Sequence, residues 1–543
     1  MYKPIKFSSV LLLALWCMFA CKTQQSQPAS TDRAPGPNLE SGESPKPDLP
    51  AKELAPKKIA LNPIPFDLPE IPREFRGVWI ATVVNIDWPE SGSDAYEKQK
   101  ADFIKILDHY KSLNFNAVIV QIRTAGDAFY PSNLAPWSRY LTGKEGKAPD
   151  TNENPLTWMI NAAHNRGLEF HAWLNPYRAT FDLKTELLSP DHDYNKHRDW
   201  MLKYGTKYYY NPGIPEVKNH LTKIIEEIVV NYSVDAIHFD DYFYPYKIAG
   251  QTFPDQASYQ KYKAPNQSID DWRRQNVNDL ISSVHQTIQK HKPWMQFGIS
   301  PFGVWRNQDK DPKGSPTRAG QTNYDDLYAD PITWMREGWI DYLIPQIYWS
   351  MDYELASYRK LNDWWAKNHY NTKIYIGNGP YKIRDNADKA WDNPQEINAQ
   401  VSYTRTHPTI QGNAFFSAKS LLNKNQDVAQ RLKTELYDQP TLTPEFAPLG
   451  TSIIETPSIA SVANQSEMTE ITLEKPLDPA IRYALIQGAN SKNELPNSKI
   501  YTVWVGSYRA RSLRVSNLET EYLAIRWVDH FGRIVSSSVY QVP

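Results

Sequence analysis

Val234-Asp235-Ala236-Ile237-His238-Phe239-Asp240-Asp241-Tyr242-Phe243-Tyr244-Pro245 is a short apolar strand that runs directly into two aspartates and a cluster of aromatic rings. Along an extended strand successive side chains point to opposite faces, so Ile237 and Phe239 share one face while Ala236, His238 and Asp240 share the other. Asp241 then opens the loop beyond the strand. Segments 216–231 before it and 270–291 after it carry apolar residues at helical spacing. A strand between two such helices is the repeating unit of a parallel α/β fold.

The same pattern extends along most of the chain. Strand-like runs are predicted at residues 76–84, 117–123, 168–175, 234–240, 296–302, 341–349, 373–378 and 413–418. Helix-like segments are predicted at 96–113, 155–166, 216–231, 270–291, 326–337, 358–369, 394–404 and 421–436. Eight strands, each followed by a helix, make a closed (β/α)8 TIM barrel, in which chemistry sits at the carboxyl ends of the strands. This α/β unit is expected over residues 73–438. Residues 440–543 change to short alternating strands, 501–505, 512–515 and 522–528 among them, with no long helix. They predict a small accessory β-sandwich of the fibronectin III or immunoglobulin kind, without a catalytic cluster.

Lys and Arg total 60 against 61 Asp and Glu, which gives no electrostatic case for nucleic acid as a partner. The chain carries 18 Trp and 33 Tyr, more than cores usually need and able to offer flat faces to sugar rings. At the start, Lys3 and Lys6 precede an apolar run, 10–20, and then Cys21, which reads as an export signal over residues 1–21. That run is too short for a membrane span, which needs ~20 residues. Met18-Phe19-Ala20-Cys21 resembles a bacterial lipoprotein cleavage site, so Cys21 is expected to carry the lipid that holds the protein to a membrane of the cell envelope, the outer membrane first. The periplasmic face and the cell surface are both open. Cys17 lies inside the leader, so the mature chain keeps no thiol for a disulfide, a thiolate metal site or a nucleophile. Residues 22–72, rich in Pro, Ser, Lys and Glu, read as a disordered tether.

In a barrel, polar side chains near the strand ends reach the active face. That rule selects Gln121 and Arg123 on the second strand, His171, Trp173 and Asn175 on the third, His238 on the fourth, Ser300 on the fifth, and Gln346 and Tyr348 on the sixth. Trp79, Tyr177, Tyr242 and Trp349 lie nearby in sequence position. Neutral donors and acceptors among flat rings suit a polyhydroxylated ligand, so a polysaccharide is the expected partner. Asp240 and Asp241 are the catalytic candidates: like charges this close cannot both ionise cheaply, and one pKa should rise into the range of a general acid. No cofactor or metal is called for. His171, His238 and Asp240 would converge in a metal-dependent deacetylase, although no His-x-x-x-His helix is present. That deacetylase and a glycan-binding lipoprotein without catalysis are the alternatives to a glycoside hydrolase.

Four motifs carry a resemblance: Arg76-Gly77-Val78-Trp79-Ile80, His171-Ala172-Trp173-Leu174-Asn175-Pro176-Tyr177-Arg178, His238-Phe239-Asp240-Asp241-Tyr242-Phe243-Tyr244-Pro245 and Pro345-Gln346-Ile347-Tyr348-Trp349. In this order at strand ends, over roughly residues 72–436, they resemble the glycosyl hydrolase-like family ten proteins. That family includes a divisome-localised hydrolase of peptidoglycan glycan strands stripped of stem peptides. The resemblance implies the same substrate class here, with cell-division or envelope proteins as partners. Glycosidases that use two enzymic carboxylates hold them ~5 Å or more apart, on opposite sides of the scissile bond. Neighbours on one strand do not obviously do this, and the nearest further carboxylate is Asp352. Substrate assistance removes the need: a 2-acetamido carbonyl attacks the anomeric carbon, and the enzyme supplies an acid and an orienting carboxylate. Asp241 then fits the acid and Asp240 the orienting group, the two roles being exchangeable, with Tyr348 and Gln346 positioning the acetamido group.

Overall fold

The computed structural model describes residues 61–446 and 454–542, apart from 466, 506–510, 517 and 520. The leader, Cys21 and the tether up to residue 60 lie outside the described residues. Eight parallel strands close a barrel: β1 Phe75–Ile80, β2 Ala117–Arg123, β3 Glu169–Leu174, β4 Ala236–Phe239, β5 Gln296–Ile299, β6 Tyr342–Leu343, β7 Lys373–Asn378 and β8 Ile410–Phe415. The expected (β/α)8 architecture is therefore the observed one. Closure runs through Gly412 of β8, which pairs with Phe75 of β1 at φ 145. A Cβ there would stand 2.1 Å from the Phe75 carbonyl oxygen, so the seam requires glycine. β6 is shorter than the run 341–349 predicts. Pro345 has no N–H to give a ladder, and only isolated bridges from Gln346 to Phe302 and Gly377 continue it.

Long amphipathic helices cover the barrel. Pro215–Asn231 buries Ile224, Ile225 and Ile228, and Ile269–His291 buries Leu280, Ile281 and Val284. Pro155–His164 starts with Pro155 in the first turn and the Asn154 side chain accepting from the N–H groups of Leu156 and Thr157, which satisfies two otherwise orphaned donors. The segment predicted as one helix, 421–436, is a short α-helix, Gln426–Arg431, between two wider π turns. A hairpin, Met201–Tyr204 with Lys207–Tyr210, follows β3 where no element was expected.

The sandwich adds β9 Ile459–Gln465, β10 Met468–Leu473, β11 Ile481–Ala489, β12 Tyr501–Trp504, β13 Ser512–Ser516, β14 Tyr522–Asp529 and β15 Ile534–Gln541. β9, β10 and β13 form one sheet; β15, β14, β11 and β12 form the other. The expectation of a tether reaching residue 72 needs correction here. Pro63–Ile64 pairs antiparallel with β15, and Ile64, Phe66 and Leu68 pack on the buried Ala524 and Val539. These regularly spaced apolar residues bury enough surface to order the segment, so the described fold starts at Leu61.

One buried cation joins sandwich and barrel. Arg482 of β11 reaches Glu169 at 3.2 Å and also Asp235, both at the amino-terminal ends of barrel strands. Asp235 further accepts from the Phe170 N–H at 2.6 Å and contacts His164 Nε2 at 2.9 Å. Trp504 stacks on the His164 ring at 3.8 Å. Burial alone would push both carboxyls up, but Arg482 overcomes it and holds each below the ordinary carboxylate range, with help from His164 at Asp235 and His171 at Glu169. Removing one member of a buried ion cluster strands the others. Arg482→Met should therefore lower the unfolding free energy by about 3–5 kcal/mol, measured by denaturant titration followed by tryptophan fluorescence.

Candidate active site

Parity along the strands sets what faces the axis. Trp79, Trp173 and Ala236 belong to the inner cluster, whereas Ile237 and Phe239 pack outward on the helices. At the carboxyl end the axis opens into a cleft of about 300 Å³. Its walls include Trp79, Gln121, Trp173, Asp240, Asp241, Tyr242, Ser300, Gln346 and Tyr348, all of them candidates from sequence. A larger groove of about 840 Å³ lies at the opposite, amino-terminal face, around Arg73, Asp341, Lys373 and Glu445. The strand ends that present the paired acids do not reach it.

Asp240 is held from three sides. The backbone N–H groups of Thr82 and Val83 donate to Gln121 Oε1 at 3.1 and 2.9 Å, which fixes the orientation of that amide. Gln121 Nε2 then donates to Asn175 Oδ1 at 2.6 Å, and Asn175 Nδ2 to Asp240 Oδ2 at 3.1 Å. On the other oxygen, Asp240 Oδ1 accepts from Gln346 Nε2 at 3.1 Å and from the Asp241 N–H at 2.8 Å. Gln346 also donates to the Ser300 carbonyl at 2.9 Å.

Asp241 stands in a different setting. It is 2% exposed, and among the described residues its one side-chain donor is the Tyr246 hydroxyl. Burial first, and then the neighbouring Asp240 charge, push its carboxyl well above the ordinary range. A protonated Asp241 beside a firmly oriented Asp240 is a proton donor paired with an acceptor, the division of labour of an acid and an orienting carboxylate. Burial likewise pushes the Tyr348 phenol well up, so it faces the cleft as a neutral hydroxyl.

Six further candidates do not line the cleft, each for a local reason. β2 carries a bulge: Gln121 pairs with Trp173 but Arg123 with the next residue, Leu174, so Ile122 is the extra residue. The bulge reverses the parity, and Arg123 turns outward to the Asp127 carbonyl and the Tyr210 hydroxyl, at 3.2 and 3.3 Å. Tyr177 packs in the outer core, and Trp349 packs against Phe302 at 5.4 Å. Asn175 is fully buried behind Asp240 and acts on it directly. His171 and His238 are fully buried in the barrel axis below the cleft floor, both bonded to the Tyr342 hydroxyl. They do not converge with Asp240 as a metal-ligand set. Among the described residues the acidic group compact enough for a cation is Glu90, Asp94 and Asp102, and Lys98 already sits on all three. Asp352 pairs with Arg359 at 3.0 Å, largely in solvent, and is not a wall of the cleft.

The cleft also has walls that strand parity does not select: Val83, Ile86, Arg178, Tyr381 and Phe416. All lie beyond strand ends, Val83 and Tyr381 in single 3-10 turns. Arg178 stands over the Tyr242 ring at 4.5 Å, and its place two residues after the Asn175-Pro176 pair was the one available signal.

A (β/α)8 barrel with paired acids in an aromatic cleft at its carboxyl face defines a glycan-acting, hydrolase-like protein. Residues 74–393 match the family Glycosyl hydrolase-like 10, and the chain belongs to it. Glycosyl hydrolase YngK of Bacillus subtilis (strain 168) is 49% identical over 395 residues, covering 72% of this chain and 77% of that protein. Glycosyl hydrolase DigH of Escherichia coli (strain K12) is 39% identical over 374 residues, covering 65% of this chain and 84% of that protein. Among solved structures, the PgaB (BpsB) glycoside hydrolase domain from Bordetella bronchiseptica is similar with a TM-score of 0.42 and 13% identity, covering 67% of this chain and 98% of that one.

The raised Asp241 carboxyl has a stability signature. The folded protein keeps a proton that the unfolded chain releases above about pH 4, so this group's contribution falls as pH rises from there. Asp241→Asn, which keeps an acceptor for Tyr246, should be more stable than the wild type by on the order of 1–2 kcal/mol at pH 7. The difference should shrink towards zero below about pH 4, as read from denaturant midpoints across that range.

Proposed function

We propose that this protein is a glycoside hydrolase that cleaves an N-acetylated amino-sugar glycan of the cell envelope, with denuded peptidoglycan as the first substrate, by substrate assistance. The observation that carries this reading is the composition of the cleft: among the described residues its carboxylates are Asp240 and Asp241, adjacent in sequence, with none on the opposing wall. Two enzymic carboxylates straddling a glycosidic bond need separate elements and ~5 Å or more between them. Without one, the second oxygen nucleophile comes from the substrate.

In this mechanism the 2-acetamido carbonyl oxygen forms a bond to the anomeric carbon as the bond to the leaving oxygen breaks. The protonated Asp241 gives its proton to that oxygen, and Asp240 accepts the amide N–H and offsets the positive charge that develops on the oxazoline. Water then opens the ring with Asp241, now a carboxylate, taking its proton. Trp79, Trp173 and Tyr242 supply flat apolar faces, and Tyr348 a hydroxyl donor. The relatives' names as glycosyl hydrolases support this class of reaction.

Incubation with glycan strands with and without stem peptides, with product masses recorded, tests the reading. Cleavage of denuded strands is expected, falling by at least ~10³-fold in Asp241→Asn and in Asp240→Asn, the scale of a lost acid or charge-stabilising group. Strand binding by the variants should persist. Equal hydrolysis of strands whose acetamido groups are replaced by hydroxyl would exclude assistance. Binding without cleavage by wild type would instead mark a glycan-binding lipoprotein.

We also propose anchoring through a lipid on Cys21, which would place the cleft beside envelope glycan. Among the described residues no helix is long and apolar enough to cross a membrane. Cys21→Ser should move the protein from the membrane fraction to the soluble fraction, and unchanged fractionation would remove this anchor.

A further inference from the structure

Below the cleft floor the barrel axis holds polar side chains in single file. Glu169 Oε2 contacts His171 Nε2 at 3.1 Å, and His171 Nδ1 contacts the Tyr342 hydroxyl at 2.8 Å. The same hydroxyl contacts His238 Nδ1 at 3.0 Å, and His238 Nε2 meets Ser300 Oγ at 2.9 Å. The Trp79 indole N–H also points at His238 Nε2, at 3.4 Å. The ring of Tyr342 fits because position 298 is glycine: a Cβ there would lie 1.9 Å from its Cζ. Both histidines and the tyrosine are fully buried, a costly arrangement unless every polar atom is paired, and each one is.

Both ends of this file are one-way groups, and they demand the same polarity. At the bottom Arg482 keeps Glu169 ionised, so Glu169 can only accept and His171 Nε2 must carry a proton. At the top an indole can only donate, so His238 Nε2 must be bare and its proton sits on Nδ1. The Tyr342 oxygen then accepts from His238 Nδ1 and gives its own proton to His171 Nδ1. The two rings then take opposite tautomers, and burial pushes the His238 pKa well below its ordinary value, in keeping with a neutral His238. With Nε2 bare, Ser300 gives its hydroxyl proton to His238 at 2.9 Å in preference to the Phe239 carbonyl at 3.4 Å, and so away from the cleft it lines. Gln346 commits its amide nitrogen to Asp240 and to the Ser300 carbonyl. Towards a ligand, both side chains are acceptors.

We propose that Arg482 of the sandwich sets the hydrogen-bond polarity of the cleft floor, through Glu169, His171, Tyr342 and His238, and thereby holds the Ser300 hydroxyl as an acceptor for an N–H or O–H donor of the bound sugar. Ser300 is the specificity-determining residue of this pair, and the five residues behind it are positioning residues. The ligand rests on the glycan reading above; the polarity does not. A sugar with a donor at this position binds, and an analogue that presents an acceptor there meets two lone pairs face to face.

The test uses the whole protein with 15N-labelled histidine. Long-range proton–nitrogen spectra from pH 5 to 8 should show one histidine protonated on Nε2, lost in His171→Gln, and one non-titrating histidine protonated on Nδ1, lost in His238→Gln. Tyr342→Phe keeps the packed ring but cuts the file, and should let a second His238 tautomer appear. Arg482→Gln should do the same from the far end. On denuded strands Ser300→Ala and Tyr342→Phe should each lower kcat/KM about tenfold, while Tyr342→Phe should cost nothing further in the Ser300→Ala background. A wild-type His238 protonated on Nε2, tautomers indifferent to Tyr342→Phe, or an additive double variant would overturn the proposal. If no strand is hydrolysed at all, the glycosidase reading fails, and the tautomers together with binding of the strands to Ser300→Ala and Tyr342→Phe still decide this one.

Discussion

Two carboxyl groups on consecutive residues, closed off from water, are the constraint around which the barrel's upper half is organised. In a medium of low dielectric, two such groups cannot both carry charge without a large penalty. The structure resolves this by treating them differently. Asp240 receives donors from Asn175, Gln346 and the backbone, themselves oriented by Gln121 and the first loop. Asp241 receives one phenol, and burial, then the neighbouring Asp240, push its carboxyl well above the ordinary range. The asymmetry comes from the neighbours, and it turns two identical side chains into groups of opposite chemical use.

Such a site is destabilising on its own, and the rest of the molecule offsets it. The outer core of strands and helices is continuous around the barrel, from Phe103 and Leu107 to Trp365 and Leu432. The amino-terminal face, which would otherwise expose buried acids at Glu169 and Asp235, is closed by the sandwich through Arg482 and the Trp504–His164 stack. The sandwich is thus more than a spacer. It carries the cation that keeps two barrel acids ionised, and one of these acids begins the polar file that ends beneath the cleft.

Sequence patterning reached far into this structure because a barrel repeats one physical rule. Period-two alternation placed Ala236 and His238 on the inner face and Ile237 and Phe239 on the outer one, as found. The same alternation placed Gln121, Trp173, Gln346 and Tyr348 towards the cleft. It failed at Arg123, where a single bulged residue reversed the parity. Of the rings named for their nearness in sequence, Trp79 and Tyr242 reach the cleft, while Tyr177 and Trp349 turn into the outer packing. Loop residues such as Ile86, Tyr381 and Phe416 were out of reach, since chain path there depends on contacts distant in sequence.

The chain's residues by themselves determined the class of fold, the order of its strands and helices, and the adjacency of Asp240 and Asp241, because local periodicity and covalent neighbourhood need no tertiary information. Tertiary structure alone decided which carboxyl keeps its proton, which polar residues face the cleft and which serve behind it, and that residues 61–72 belong to the fold. Each of these depends on desolvation and on hydrogen-bond partners from distant positions, Asn175 and Gln346 against Asp240, Tyr342 against His171 and His238, and Arg482 against Glu169. Those pairings exist only once the barrel has closed.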